Sequence, residues 1–176
     1  MPFLLFQQQK KIIAVVHIRF VCRRCNNHKY ASCYASERAY FNDLAAISAK
    51  VEKYTGEKPD IIRFPGGSSN TVSKKYCKGL MTRLSVAVRE KGYQYFDWNV
   101  SSGDAESKPA SAQQIVNKVV NEAKNKNRIC VLMHDTAAKN STVQALPQMI
   151  EKLKAMGFRF DVLSSDMSGF HHGINN

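Results

Sequence analysis

At 176 residues, the chain is long enough to form one domain with a substantial core, and two domains would be small. Hydrophobic residues make up 44% of the chain and charged residues 23%, which excludes global disorder. The net charge is +12, but residues 1–30 carry +6 of it without any acid, and later lysines are mixed with acids on predicted helix surfaces. Since this pattern is typical of solvated surfaces, we predict no nucleic-acid partner.

The five cysteines are odd in number and lack the spacing of a disulfide framework, which excludes a disulfide-rich scaffold. The apolar stretch at residues 1–6 is too short for a signal peptide, because the polar residues 7–11 interrupt it. No apolar run is long enough to span a bilayer. We therefore predict no signal peptide and no membrane span, and the cellular location stays open.

Residues 1–27 form a basic segment without a regular period, although residues 12–21 could make one strand. The pair Cys22 and Cys25, with His28 nearby, would be half of a zinc site. Because no second pair lies near, two incidental cysteines are the favoured interpretation.

From residue 36 onward, helix signals become regular. Ser36 is a typical N-cap, apolar residues then recur at helical spacing, and Gly56 ends this first helix. A second helix is predicted over residues 79–91. A third begins at Ser111 with a capping box, and a fourth covers residues 142–156.

Short apolar runs alternate with these helices, and this alternation predicts a parallel sheet with covering helices. The predicted strands are residues 61–64, 93–98, 129–133 and 158–163. In parallel α/β folds, sites form at the carboxyl ends of strands. We therefore predict one shared site from the loops at residues 63–70, 97–104 and 134–140.

Two residues at strand ends are candidates for chemistry. Arg63 enters a loop of one proline and two glycines, where a buried arginine needs a carboxylate or an anion; the alternative is a surface arginine. His134 follows the strand at 129–133 and could act as a general acid, particularly if a carboxylate orients it. The alternative is a histidine that merely ends a strand. Taken together with the loop at Asp97 and Trp98, the interpretation as a site is favoured.

Three segments follow one another along the chain: Arg63-Phe64-Pro65-Gly66-Gly67, the run from Phe96-Asp97-Trp98 to Gly103-Asp104-Ala105, and Leu132-Met133-His134-Asp135. They resemble the later motifs of polysaccharide deacetylases, carbohydrate esterase family 4, in its bacterial peptidoglycan or chitooligosaccharide branch. The resemblance runs from about residue 28 to residue 176. It implies a partial, deformed (β/α) barrel after an irregular N-terminal segment, so the predicted domains are 1–27 and 28–176. It also implies a divalent metal, usually zinc, and hydrolysis of N-acetyl groups on an amino-sugar polysaccharide or oligosaccharide.

The resemblance implies roles for single residues. Arg63 would orient the catalytic aspartate, and His134 would protonate the departing amine. Asp97, Trp98 and Asp104 would belong to the substrate-binding groove, with Asp104 also a candidate to support His134.

The chain departs from the family at its N-terminal end. The family opens with a Thr-Phe-Asp-Asp-Gly-like motif that supplies the base and a metal ligand, but no Asp-Asp pair is present and the first acid is Glu37. The second motif has two histidines four residues apart as metal ligands. His28 fits the second position, whereas Arg24 occupies the first and would repel a cation.

We therefore predict a member of this family that is inactive as this chain, and a truncated or frame-disrupted gene explains residues 1–27. The alternative is a non-catalytic carbohydrate-binding relative that keeps the groove. A nucleic-acid module using Cys22, Cys25 and His28 ranks below both. A closed barrel needs about seven or eight strands, so a sheet of four or five should leave edges that favour self-association.

Overall fold

The computed structural model describes residues 10–14, 29–106, 109–134 and 136–176. These residues form two compact units. The first unit contains the described residues of 10–14 and 98–162, and the second contains 29–97 and 163–176. The predicted division of the chain at residues 27 and 28 is not tested by this partition and stays a prediction.

Within the described residues, helices and strands alternate from α2 onward, except that β4 follows β3 without a helix between them. The α-helices are α1 (Tyr30–Cys33), α2 (Glu37–Thr55), α3 (Leu80–Glu90), α4 (Ala112–Ala123) and α5 (Asn140–Ala155). The strands are β1 (Lys10–Ala14), β2 (Ile61–Ile62), β3 (Gln94–Tyr95), β4 (Val100–Ser101), β5 (Arg128–Leu132) and β6 (Phe158–Asp161).

The first unit is built on a four-stranded parallel sheet in the order β4-β5-β1-β6. Ile13 of β1 pairs with Cys130 of β5 on one side and with Asp161 of β6 on the other. Part of the basic N-terminal segment therefore lies inside the sheet. The rest of the strand predicted at residues 12–21 lies outside the described residues. Strand β4 falls in a stretch that the sequence predicted to be a loop.

The second unit contains the parallel pair β2 and β3, in which Ile61 pairs with Gln94 and Ile62 with Tyr95. Both strands are shorter than predicted, because Pro65 and two glycines end the first pairing and the chain turns away after Tyr95.

The four long helices begin and end close to the predicted residues because local hydrogen bonds fix their ends. Ser36 Oγ accepts the N–H of Ala39 at 3.1 Å, and Gly56 ends α2 in the left-handed region at φ 75°. At α4, Ser111 and Gln114 form the predicted capping box. The single turn of α1 was missed, since four residues are too few to show a period.

Each unit has its own hydrophobic core. In the first unit, α4 and α5 pack on the sheet through buried apolar residues that include Ile115, Val119, Leu153 and Val131. The core of the second unit is rich in aromatic rings, and Tyr40 packs at 5.6 Å from Phe64 between ring centroids. No helix among the described residues combines the length and the apolar character that a bilayer crossing requires.

Residues 163–176, hereafter the C-terminal segment, pack on the rest of the second unit, although no helix or strand is predicted after residue 163. Gln94 Nε2 donates to the carbonyl of Met167 at 2.9 Å, and the N–H of Asp97 donates to the carbonyl of Phe170 at 2.6 Å. Ile174 packs against the aromatic core. These long-range contacts order a segment that has no helical or strand period of its own.

Candidate functional site

Asp104 and His134 meet at the carboxyl edge of the sheet in the first unit. Strands β4 and β5 are parallel neighbours, with Ser101 opposite Leu132, so the loops that follow them leave the sheet on the same side. The Nδ1 atom of His134 lies 2.8 Å from Asp104 Oδ1, and the backbone N–H of His134 donates to Oδ2 at 2.7 Å. One carboxylate therefore holds both the ring and the backbone of the histidine.

Helix α5 and the residue that precedes it each add a contact to Asp104. The hydroxyl of Thr142 donates to Asp104 Oδ2 at 3.0 Å, and Lys139 Nζ donates to the backbone carbonyl of Asp104. Thr142 is 4% exposed and Asp104 is 4% exposed, so their hydrogen bond is shielded from water. Sequence reasoning missed Thr142. A signal was available, because the first turn of the helix after a strand packs at the strand's carboxyl edge in α/β units.

The electrostatics of this pair favour an ionised Asp104. Burial acts to raise the pKa of Asp104. Hydrogen bonds from the ring and the backbone of His134 act in the opposite direction, as do the charge of His134 and a hydrogen bond with Ser102. Together they outweigh burial and lower the pKa of Asp104 to about 2. An ionised carboxylate can only accept hydrogen bonds, so it selects the His134 tautomer with the proton on Nδ1. The side chain of His134 is 37% exposed, which leaves Nε2 as the nitrogen that can exchange a proton with a bound molecule.

Arg63 in the second unit is buried at the end of β2 and precedes a tight turn. The N–H of Gly67 donates to the carbonyl of Phe64 at 2.8 Å, with Pro65 and Gly66 between them. Gly66 has φ 78°, so this is a type II turn, in which proline and glycine occupy their preferred positions. The predicted role of Arg63 toward a catalytic aspartate stays a prediction.

Asp97 in the second unit is fully buried and ties the loop after Arg63 to the C-terminal segment. Its Oδ1 accepts the N–H of Ser68 at 2.8 Å, and its Oδ2 accepts the Ser68 hydroxyl and the N–H of His172 at 2.9 Å. Ser69 Oγ lies 3.0 Å from His172 Nδ1. In this arrangement Asp97 orders two backbone segments, and its predicted part in substrate binding stays a prediction.

The predicted site residues are divided between the two units. Trp98 is partly exposed between β3 and β4 and belongs to the first unit, as do Asp104 and His134, whereas Arg63 and Asp97 belong to the second. The structure thus brings Asp104 to His134. The shared site predicted for all three loops stays a prediction.

A metal would need a set of donor side chains. Across residues 29–106, 109–134 and 136–176, no three side chains of His, Cys, Asp or Glu come together in a way that could hold a metal ion. The described residues therefore do not fit a divalent metal. His28, the predicted ligand, lies outside the described residues, and its role stays a prediction.

Comparisons with known proteins agree in pointing to one group of enzymes. No family model matches the chain. The peptidoglycan-N-acetylglucosamine deacetylase of Bacillus cereus is 33% identical over 147 residues, which are 83% of this chain and 62% of that protein. The chain spans 48% and 62% of the length of two curated relatives, so it corresponds to about half of such proteins or somewhat more.

Solved structures give the same result for the fold. The catalytic domain of a peptidoglycan N-acetylglucosamine deacetylase from Eubacterium rectale superposes with a TM-score of 0.81 and 46% identity, over 85% of this chain and 67% of that one. A polysaccharide deacetylase from Bacillus cereus gives a TM-score of 0.67 and 26% identity, over 86% of this chain and 68% of the other. The α/β fold class predicted from the sequence is confirmed by these matches.

Proposed function

Because the chain belongs to the polysaccharide deacetylases of carbohydrate esterase family 4, we propose that its substrate class is an N-acetylated amino-sugar polymer of the peptidoglycan or chitin type. The reaction of this class is hydrolysis of an amide. Water adds to the acetyl carbonyl, the carbon–nitrogen bond breaks, and the products are acetate and a free amino group on the sugar. The leaving nitrogen must receive a proton as that bond breaks.

The contact between Asp104 and His134 is the observation that carries this proposal. The carboxylate fixes the Nδ1–H tautomer, so a second proton on Nε2 would make His134 a cationic acid at the open side of the ring. Delivered to the amide nitrogen, that proton lets the amine depart, and His134 returns to its neutral form. Asp104, at 4% exposed, stays ionised and stabilises the cationic ring meanwhile.

We further propose that this chain releases no acetate by itself. A divalent metal supplies water activation in enzymes of this kind of chemistry, and the described residues do not fit one. The sequence has no Asp-Asp pair, and Arg24 stands four residues before His28. A general acid alone does not generate the attacking hydroxide, so His134 has no tetrahedral intermediate to protonate.

The test measures acetate from an oligosaccharide of N-acetylglucosamine, with zinc, cobalt or nickel supplied. The chain itself should release no acetate above a control without metal. A chimera tests the rest of the machinery: it keeps β1 and replaces residues 15–28 with a segment that carries the Thr-Phe-Asp-Asp-Gly-like and His-x-x-x-His motifs. The chimera should release acetate, His134→Ala should abolish the release, and Glu90→Gln on the exposed face of α3 should leave it unchanged.

Two outcomes would overturn these proposals. If the unmodified chain releases acetate and His134→Ala abolishes the release, the chain is active. The base and the metal ligands are then other residues than those named above. If the chimera still releases acetate after His134→Ala, His134 is not the general acid.

A second candidate is carbohydrate binding without hydrolysis, favoured by the partly exposed ring of Trp98, since indole rings offer a flat apolar face for a sugar. Calorimetric titration with the same oligosaccharide would show binding that weakens in Trp98→Ala. Chimeras that bind the oligosaccharide but never release acetate would favour this second function over the first.

A further inference from the structure

We infer that Thr142 is a positioning residue: its hydroxyl fixes the Asp104 carboxylate in the orientation that holds the His134 ring in its Nδ1–H tautomer. This inference rests on the proposed function for its purpose, because the tautomer decides which ring nitrogen can deliver a proton. It does not rest on turnover, since the tautomer of a histidine is measurable in a protein without activity.

The hydrogen bonds of Asp104 show why the carboxylate needs an additional donor. Oδ1 faces the ring nitrogen of His134, while Oδ2 receives the backbone N–H of His134 and the hydroxyl of Thr142. Two of these three bonds come from one residue. A small rotation of the carboxylate would weaken the ring contact while keeping the backbone contact. The Thr142 hydroxyl donates from α5, a separate element, and opposes this rotation.

Lys139, the N-cap residue of α5, acts on a different part of Asp104. Lys139 Nζ donates to the backbone carbonyl of Asp104, and Ser102 Oγ accepts the backbone N–H of Asp104 at 3.3 Å. These two contacts fix the backbone. Thr142 fixes the carboxylate with a neutral hydroxyl, which adds no cation that would compete with a protonated His134 for the negative charge.

The side chain of Thr142 suits this task. It is buried, and its branched Cβ restricts rotation about χ1. It lies in the first turn of α5, next to Asp104 at the carboxyl edge of the sheet. A buried hydroxyl bound to a carboxylate is costly to remove without replacing the donor. Valine has nearly the same shape as threonine and lacks the donor, so Thr142→Val isolates the hydrogen bond from the packing.

The experiment uses the full 176-residue chain with nitrogen-15 in its histidines. Long-range proton–nitrogen correlation spectra at pH 7.5 distinguish the Nδ1–H and Nε2–H tautomers, and His134→Gln assigns the signals. The wild type should show the Nδ1–H tautomer at His134. Thr142→Val should shift the signals toward a mixture of tautomers, and Thr142→Ser should restore the wild-type pattern.

Matched controls separate positioning from folding. Ser141→Ala removes a hydroxyl from the adjacent residue in the same helical turn and should leave the His134 signals unchanged. Thr142→Ala provides a second test should the valine variant fail to fold. An unchanged Nδ1–H tautomer in either folded variant overturns the inference.

The experiments distinguish a failure of this inference from a failure of the proposed function. A tautomer shift in Thr142→Val together with an inactive chimera would support the positioning role and contradict the reaction. If the chimera is active, Thr142→Val should lower its kcat about tenfold with little change in KM, because the substrate groove is untouched. A fall in activity without any tautomer shift would contradict positioning.

Discussion

The carboxylate of Asp97 accepts the backbone N–H of His172 at 2.9 Å, which joins the end of β3 to the C-terminal segment through a fully buried group. The same carboxylate accepts two donors from Ser68 in the loop after β2. Three stretches of the second unit that are distant in sequence thus depend on one side chain. A buried carboxylate in such a position is favourable only while each donor remains in place.

Asp97→Asn should destabilise the second unit by about 2 kcal/mol, because the variant keeps the shape but loses one acceptor. Whichever way the new amide is oriented, its NH₂ group faces either the N–H of Ser68 or the N–H of His172. Urea unfolding measures the loss. Glu90→Gln, which changes an exposed carboxylate on α3, is the control and should be within about 0.5 kcal/mol of the wild type. A fully stable Asp97→Asn would contradict the ordering role.

We expect His171 to make the docking of the C-terminal segment sensitive to pH. Its ring stacks on Tyr95 at 3.9 Å between centroids, and its Nε2 lies 3.1 Å from the Tyr95 carbonyl. Burial lowers the pKa of His171, and Arg89 adds to this, while the carbonyl of Tyr95 and the charge of Asp97 oppose it; the net pKa is lowered.

The lowered pKa of His171 determines how docking of the C-terminal segment changes with pH. The undocked segment takes up a proton near the ordinary histidine pKa of about 6.5, before the docked segment does, so docking weakens as the pH falls below that value. Hydrogen-exchange protection factors of the His172 and Asp97 amides should therefore be smaller at pH 5.5 than at pH 7.5. In His171→Phe, which keeps an aromatic ring but does not titrate, the difference should be reduced. An equal pH dependence in both proteins would assign the effect to another group.

Local signals in the sequence predicted the long helices well. Ser36, Gly56 and Ser111 mark helix ends through contacts with residues at most four positions away, and each is found at a helix end. Such contacts are visible in a sequence because spacing alone determines them. The pairing of Asp104 with His134 was expected from the resemblance to polysaccharide deacetylases and not from local spacing, since the two residues are 30 positions apart.

Features that depend on distant residues could not be predicted. The C-terminal segment has no period, and its order comes from partners about 75 to 105 residues away, such as Asp97 and Ser69. The strand predicted at 93–98 is found only at β3, and β4 forms a few residues later, within the predicted loop; β3 pairs with β2 and β4 pairs with β5 in separate sheets. Two strands of two residues each are too short to show a period, so the sequence gives no sign of where the chain changes partner.

The outer edge of β6 should promote self-association of this chain. Within the described residues β6 pairs with β1 on one side only, and Val162, directly after β6, is 76% exposed. An open edge next to an apolar side chain favours pairing with another chain, and a lysine there disfavours it. Size-exclusion chromatography with light scattering should show oligomers that decrease in Val162→Lys. A monomeric wild-type chain would contradict this prediction. Val143→Lys, at an exposed position of α5, is the control for the added positive charge.

Asp104 should contribute to the stability of the fold in a way that depends on pH. Its pKa of about 2 in the folded chain lies below the ordinary value of 3.8, so the ionised form stabilises the fold by roughly 2 kcal/mol at neutral pH. Because the pKa is lowered on folding, this contribution is complete above about pH 4 and is lost as the pH falls toward 2.

Asp104→Asn should therefore be less stable than the wild type by roughly 2 kcal/mol at pH 7, and the difference should shrink below pH 4. Urea unfolding of both proteins at pH 7, 5, 4 and 3 measures it, with Glu90→Gln as the exposed control. A deficit that stays constant down to pH 3 would mean that the amide disturbs packing. In that case the negative charge next to His134 would not be what stabilises this edge of the sheet, and the cationic acid assigned to His134 would lose its electrostatic support.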